Sequence, residues 1–260
     1  MDALCLYRLK FDLERFRNLP KEQQLFFIRL AQIADDLRHV FYLAVAAEKG
    51  THSKSSDERK LALHQLLFSV RLIYSIFNEA WVVIKETWTG KALGKTWYPR
   101  LTEEARNGFD FLCKHFGKDN LSHTIRNEFG FHYAPEPLEE PLAHVPSRAA
   151  EIISGKYSAN IFYTLAEEVR ALALIQTANE SSDIKVWDKN ASEQHVRDAV
   201  IRLYEGYRPV REAFDAFANN VLTSMVKSLQ PKTEKFAAPR LTRFAEMVPI
   251  LFVEEPTSHQ

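Results

Sequence analysis

Glycine is scarce in this chain, with 8 in 260 residues, and cysteine scarcer, with 2. Tight hairpins need residues that tolerate positive φ, and no Asn-Gly or Asp-Gly pair lies between alternating apolar runs, so a sheet protein is not expected. Cys5 and Cys113 are too few for a disulfide framework and fit a reducing, cytoplasmic setting. Charges interrupt the apolar stretches of the N-terminus. No window is read as supplying the roughly 18 apolar residues of a membrane-spanning helix, and neither a signal peptide nor a membrane partner is expected. Charge of one sign is missing too: 34 basic residues balance 34 acidic ones, so the whole molecule has no field that draws polyanions. The distribution is uneven, with 20 basic against 16 acidic residues over 1–133 (net +4) and 14 against 18 over 134–260 (net −4). That asymmetry points to an anionic partner for the first half.

What is present reads as helix. Hydrophobic residues make up 46% and charged residues 26%, a globular composition that excludes bulk disorder, and 18 Phe, 9 Tyr and 4 Trp supply large core side chains. From Lys21 to Lys49, Phe26, Leu30, Ile33, Leu37, Phe41 and Ala44 recur at steps of three and four, after Pro20. A second stripe, Leu63, Leu67, Val70, Tyr74, Phe77, Trp81 and Ile84, predicts a helix from an N-cap at Ser56 to about Trp88, packed antiparallel to the first. Thr102, followed by two glutamates, signals a short third helix that Gly117 ends. A fourth starts at Asp119 or Asn120 and runs into three prolines. Later stripes comprise Ile161, Leu165, Val169, Leu172 and Ile175, then Val196 to Met225 with Pro209 marking a kink or the meeting of two helices. The tail, with its run VPILFV, is expected to pack as an extended strap. The expected architecture is all-α: an up-and-down bundle over 1–133, a proline-rich connector over 134–146, and a helical extension over 147–260 that packs on the bundle.

Several chemistries find no support. Asp35, Asp36 and His39 lie within one turn, but a di-iron bundle needs a second such pair, and the other histidines lack zinc spacing, so no metal and no cofactor is expected. Neither a phosphate-cradling glycine loop nor a G-x-S-x-G elbow occurs. The segment from Lys85 to Arg106 is more informative. It interleaves Lys91, Lys95 and Arg100 with Trp88, Trp97 and Tyr98, a mixture suited to phosphates and stackable bases, although such aromatics also pin loops to cores.

The residues Ile125-Arg126-Asn127-Glu128-Phe129-Gly130-Phe131-His132-Tyr133 carry an Arg and a His separated by five positions, with a polar Asn directly after the Arg. Cleavage of RNA by its own 2′-hydroxyl needs a base of near-neutral pKa, for which His132 is suited, and a donor fork for the charge gathering on phosphorus, for which Arg126 is suited. On an α-helix six steps turn about 600°, leaving the two side chains roughly 120° apart, so either Gly130 bends the segment or a second protomer completes the site. The same pattern has an ordinary reading, with Arg126 in a surface ion pair and His132 capping a helix end. This segment resembles the signature of HEPN-domain proteins, an all-α superfamily whose ribonuclease members carry Arg, a polar residue and His. The resemblance implies a metal-independent endoribonuclease of a toxin–antitoxin, phage-defence or stress system, acting as a homodimer on RNA and answering to an antitoxin or other regulatory protein. It implies catalytic roles for Arg126, Asn127 and His132. Tyr133 directly follows His132, one position earlier than in many toxin members, and is grouped with Lys91, Lys95, Trp97 and Arg100 as substrate contacts. The alternative is a HEPN-like module that binds RNA or protein without cutting.

Overall fold

A computed structural model describes residues 6–130, 135–147, 152, 162–179, 183–189 and 191–236. The chain is an all-α helical bundle with one two-stranded ribbon. Its elements are β1 (Leu6–Lys10), α1 (Leu13–Arg17), α2 (Lys21–Gly50), α3 (Ser56–Thr87), α4 (Ala92–Trp97), α5 (Glu103–Phe116), α6 (Leu121–Ile125), α7 (Glu136–His144), α8 (Thr164–Thr177), α9 (Glu193–Glu205), α10 (Arg208–Ser228) and β2 (Lys232–Phe236). By contacts, the described residues fall into two compact units. One holds 6–39, 76–120 and 208–236, the other 40–75 and 121–207. This division interleaves the chain. Part of the connector expected at 134–146 is helical: Pro137 sits in the first turn of α7, where no N–H is needed, and Pro141 lies inside the helix.

In the first unit, Phe26 near the start of α2 packs on Trp88 just beyond α3, ring centroids 5.5 Å apart, as antiparallel neighbours must. The periodic residues Phe26, Leu30 and Leu37 on α2, and Phe77 and Ile84 on α3, are buried. α5 runs along α10: Phe109 and Phe217 lie 5.4 Å apart, and the Asn220 side chain bonds both the backbone and the hydroxyl of Thr102. Thr102 is the N-cap of α5, accepting from the Ala105 N–H, and Gly117 is its C-cap, both where the sequence places them. β1 and β2 pair antiparallel with Leu6 opposite Phe236, and Lys10 meets Glu234 at 2.9 Å. The strap expected of the tail is thus a strand where it is described, while VPILFV (248–253) lies outside the described residues.

In the second unit, α3 is capped by Ser55, whose hydroxyl accepts from the Glu58 N–H, one residue before the expected Ser56. Tyr74 is buried and donates its hydroxyl to the Leu203 carbonyl at 3.0 Å. Tyr204 donates to Glu48 at 2.7 Å. Burial pushes both phenols far above their ordinary range, so they stay neutral. α8 is held to α3 by Glu168, which lies 3.6 Å from the Lys60 ammonium and 3.7 Å from His64 Nε2. Near Pro209 two helices do meet, α9 ending at Glu205 and α10 starting at Arg208. One sequence expectation needs correcting: α3 does contain an 18-residue window of mean hydropathy 1.4, long and apolar enough to cross a membrane. Burial accounts for that hydropathy, since 67% of the window is inside the fold and a core helix meets the same criterion.

Candidate active site

The segment that carries the Arg-Asn motif changes winding as it goes. α6 makes one α-helical turn from Leu121 to Ile125, and the chain continues as a π-helical turn over Arg126–Gly130. Such turns are rare and concentrate at functional sites. The inner face explains the path. Ser122 and Ile125 are fully buried and Phe129 nearly so. Gly130 passes so close to α3 that a Cβ there would stand 2.9 Å from the Ser75 hydroxyl. That hydroxyl is itself committed to the Arg71 carbonyl at 2.9 Å, leaving it little room to yield.

With one side fixed, the polar residues share the other. Arg126 Nη1 donates to Asn127 Oδ1 at 3.0 Å, and Asn127 Nδ2 lies 2.9 Å from His123 Nε2. The directions are determined by chemistry. A guanidinium only donates, so it meets the amide oxygen of Asn127; the amide nitrogen then faces His123, whose Nε2 must accept, placing that ring's proton on Nδ1. The result is a directed chain from Arg126 through Asn127 to His123. Asn127 is oriented from both ends, and one of the five guanidinium N–H groups is used in doing so. Burial raises the Glu128 carboxyl above the usual range.

The expected site residues thus have different fates. Arg126 and Asn127 are brought together, both half-buried. His132 and Tyr133 lie outside the described residues. Lys91, Lys95 and Arg100 are exposed and belong to the first unit, whereas Arg126 and Asn127 belong to the second. Trp97 is 4% exposed, with the Arg100 guanidinium 4.9 Å above its ring. Tyr98, half-exposed, takes the accessible position beside it. His123 is the residue the sequence reading passed over. Its signal was the four-residue step to Asn127, which places two side chains on one helix face. Among the described residues no group of three His, Cys, Asp or Glu side chains has the geometry to hold a metal ion. No family model, no curated protein and no solved structure matches this chain.

Proposed function

We propose that the chain is an endoribonuclease that cuts RNA by attack of its own 2′-hydroxyl, without a metal ion, from a HEPN-like site. The observation that supports this reading is the hydrogen bond between Arg126 and Asn127 on a π-helical turn, which joins in space two residues that the motif pairs in sequence. In the reaction His132 takes the proton from the 2′-hydroxyl, O2′ forms a bond to phosphorus, and the bond from phosphorus to O5′ breaks. The products are a 2′,3′-cyclic phosphate and a 5′-hydroxyl: O5′ takes its proton from solvent water, and His132 returns the proton it accepted to solvent. Arg126 meets the negative charge gathering on the non-bridging oxygens with donors that Asn127 has already oriented. The site is completed across a two-fold homodimer, and the exposed cations Lys91, Lys95 and Arg100 hold the strand through its phosphates. A cytoplasmic defence or stress role, restrained by an antitoxin or other regulatory protein, follows from the same resemblance.

The test is incubation of the purified protein with mixed RNAs in excess EDTA, alongside His132→Ala. Cleavage by the wild type alone, leaving cyclic phosphate ends, is expected. Cleavage that EDTA abolishes and magnesium restores would remove this mechanism. RNA bound but left intact by the wild type would put a non-catalytic binding module in its place.

A further inference from the structure

The first unit contains a cavity that the Arg126 site does not use. α3 ends at Thr87, and the N–H groups of Trp88 and Thr89 both turn back to the Ile84 carbonyl, at 2.8 and 3.1 Å. Gly90 then takes the left-handed conformation, φ +70°, and Lys91 bonds back to the Trp88 carbonyl at 3.2 Å. α4 comes down on this turn so closely that a Cβ at Gly94 would stand 2.1 Å from the Trp88 carbonyl oxygen. Glycine is therefore required at 94. At Gly90 no atom lies within 4 Å of where a side chain would project, and it is the left-handed φ that favours glycine there. Between these points lies a cavity of about 320 Å³, lined among others by Trp88, Gly90, Gly94, Lys95, Tyr98 and Phe109.

Its walls are flat and fixed. Trp88 is wedged by Phe26 at 5.5 Å and Phe217 at 5.0 Å, and Phe109 stands 6.4 Å from Trp88 and 5.9 Å from Tyr98. Rings held this way lose little freedom when a further ring enters. Beside the hydroxyls of Thr89 and Tyr98, the charge at the cavity is of one sign. Lys95 lines it and Lys91 precedes it, neither with an ion-pair partner among the described residues, and no carboxylate lines the space. A ligand that satisfies both features is an unsaturated ring carrying an anionic arm. The volume stands at the small end of ligand sites, enough for a base and its sugar rather than for a dinucleotide.

We infer that this cavity takes one unstacked nucleobase, its ring against Tyr98 and Phe109 and its phosphate on Lys95. The choice of a nucleotide over another anionic ring rests on the proposed action on RNA. A free nucleotide and one residue of a single strand present the same chemistry to the cavity, and the measurement separates them.

The binding of a fluorescent single-stranded RNA octamer is compared with that of an octamer of abasic ribose phosphates, in a His132→Ala background so that the probe survives. The base-bearing strand should bind about tenfold tighter. Tyr98→Leu should erase that difference while Tyr98→Phe, which keeps the ring, retains it; Lys95→Glu should weaken both probes. A nucleoside monophosphate that displaces the octamer at micromolar concentration would identify the free nucleotide as occupant, and one that fails would identify the strand. Equal affinity for the two octamers, or a Tyr98→Leu protein that keeps its helical circular dichroism and the full base preference, overturns the inference. Wild-type cleavage is measured in parallel. Cleavage without base preference removes the cavity and leaves the nuclease; base preference without cleavage does the reverse.

Discussion

At the scale of single residues, the motif's chemistry depends on which groups orient which. Asn127 is bonded at both ends, so replacing it removes one restraint on Arg126 directly, whereas replacing His123 removes the far restraint on Asn127. Three graded losses follow for RNA cleavage. His132→Ala should cost on the order of 10² to 10⁴ in rate, as for loss of a general base. Asn127→Ala should cost about 10- to 100-fold, since a donor displaced by about an ångström costs that much. His123→Ala should cost less than Asn127→Ala and leave the shape of the pH–rate profile unchanged, because it positions and does not transfer the proton. A His123→Ala profile that loses its acidic limb would make His123 the base instead. None of this ordering was legible in the sequence. Arg126 and Asn127 were visible as a pair, but the bond from Asn127 to His123 depends on side-chain directions where the chain passes from an α to a π turn. Trp97 shows the same limit from the other side, because an aromatic residue near an arginine reads identically whether its ring faces solvent or, as here, the core.

At the scale of elements, the sequence was most legible where a signal is local and repeated. The stripes of α2, α3 and α10, the Thr102 cap and the break between α9 and α10 all follow from spacings of a few residues. The ribbon was not legible, since β1 and β2 are five-residue strands that find each other across more than 220 positions. The join of α8 to α3 is a further non-local feature, and it makes a measurable claim. The imidazole of His64, followed by the Lys60 ammonium, holds the Glu168 carboxyl below its usual range against the opposing effect of burial. A depressed native pKa means that the unfolded state binds more protons in acid. The stabilisation is therefore complete above the usual value near 4.5 and is lost as pH falls through the depressed one. Glu168→Gln should cost about 1 kcal/mol at neutral pH, a modest figure because the pair is partly solvated. The gap in urea midpoint between variant and wild type should close as pH falls below 4.5. A gap that persists unchanged at pH values below the usual carboxylate range would show that Glu168 acts through packing rather than charge.

At the scale of the whole molecule, the proposed chemistry needs more than one helix turn can present. One guanidinium and one imidazole on a single segment do not converge on a phosphate when an α-helix separates them by roughly 120°. On the π-helical turn over Arg126–Gly130, Arg126 lies toward Asn127, which in turn meets His123. Two copies of the segment around a two-fold axis form two equivalent clefts, each taking Arg126 from one protomer and His132 from the other. The consequence can be measured without knowing the natural RNA. Homodimers of Arg126→Ala and of His132→Ala should each be inactive. Mixing the two chains through a cycle of dissociation and reassociation should restore cleavage, because half of the mixed clefts then hold one intact Arg126 and one intact His132 from opposite protomers. With random exchange half of all dimers are mixed and each restores one of two clefts, so activity should return to about one quarter of wild type. The recovered activity should fall with dilution as the dimers dissociate. A protein that sediments as a monomer at micromolar concentration and still cuts RNA, or mixed chains that stay inactive although exchange is shown by differently tagged copies, would place both groups of each site in a single chain.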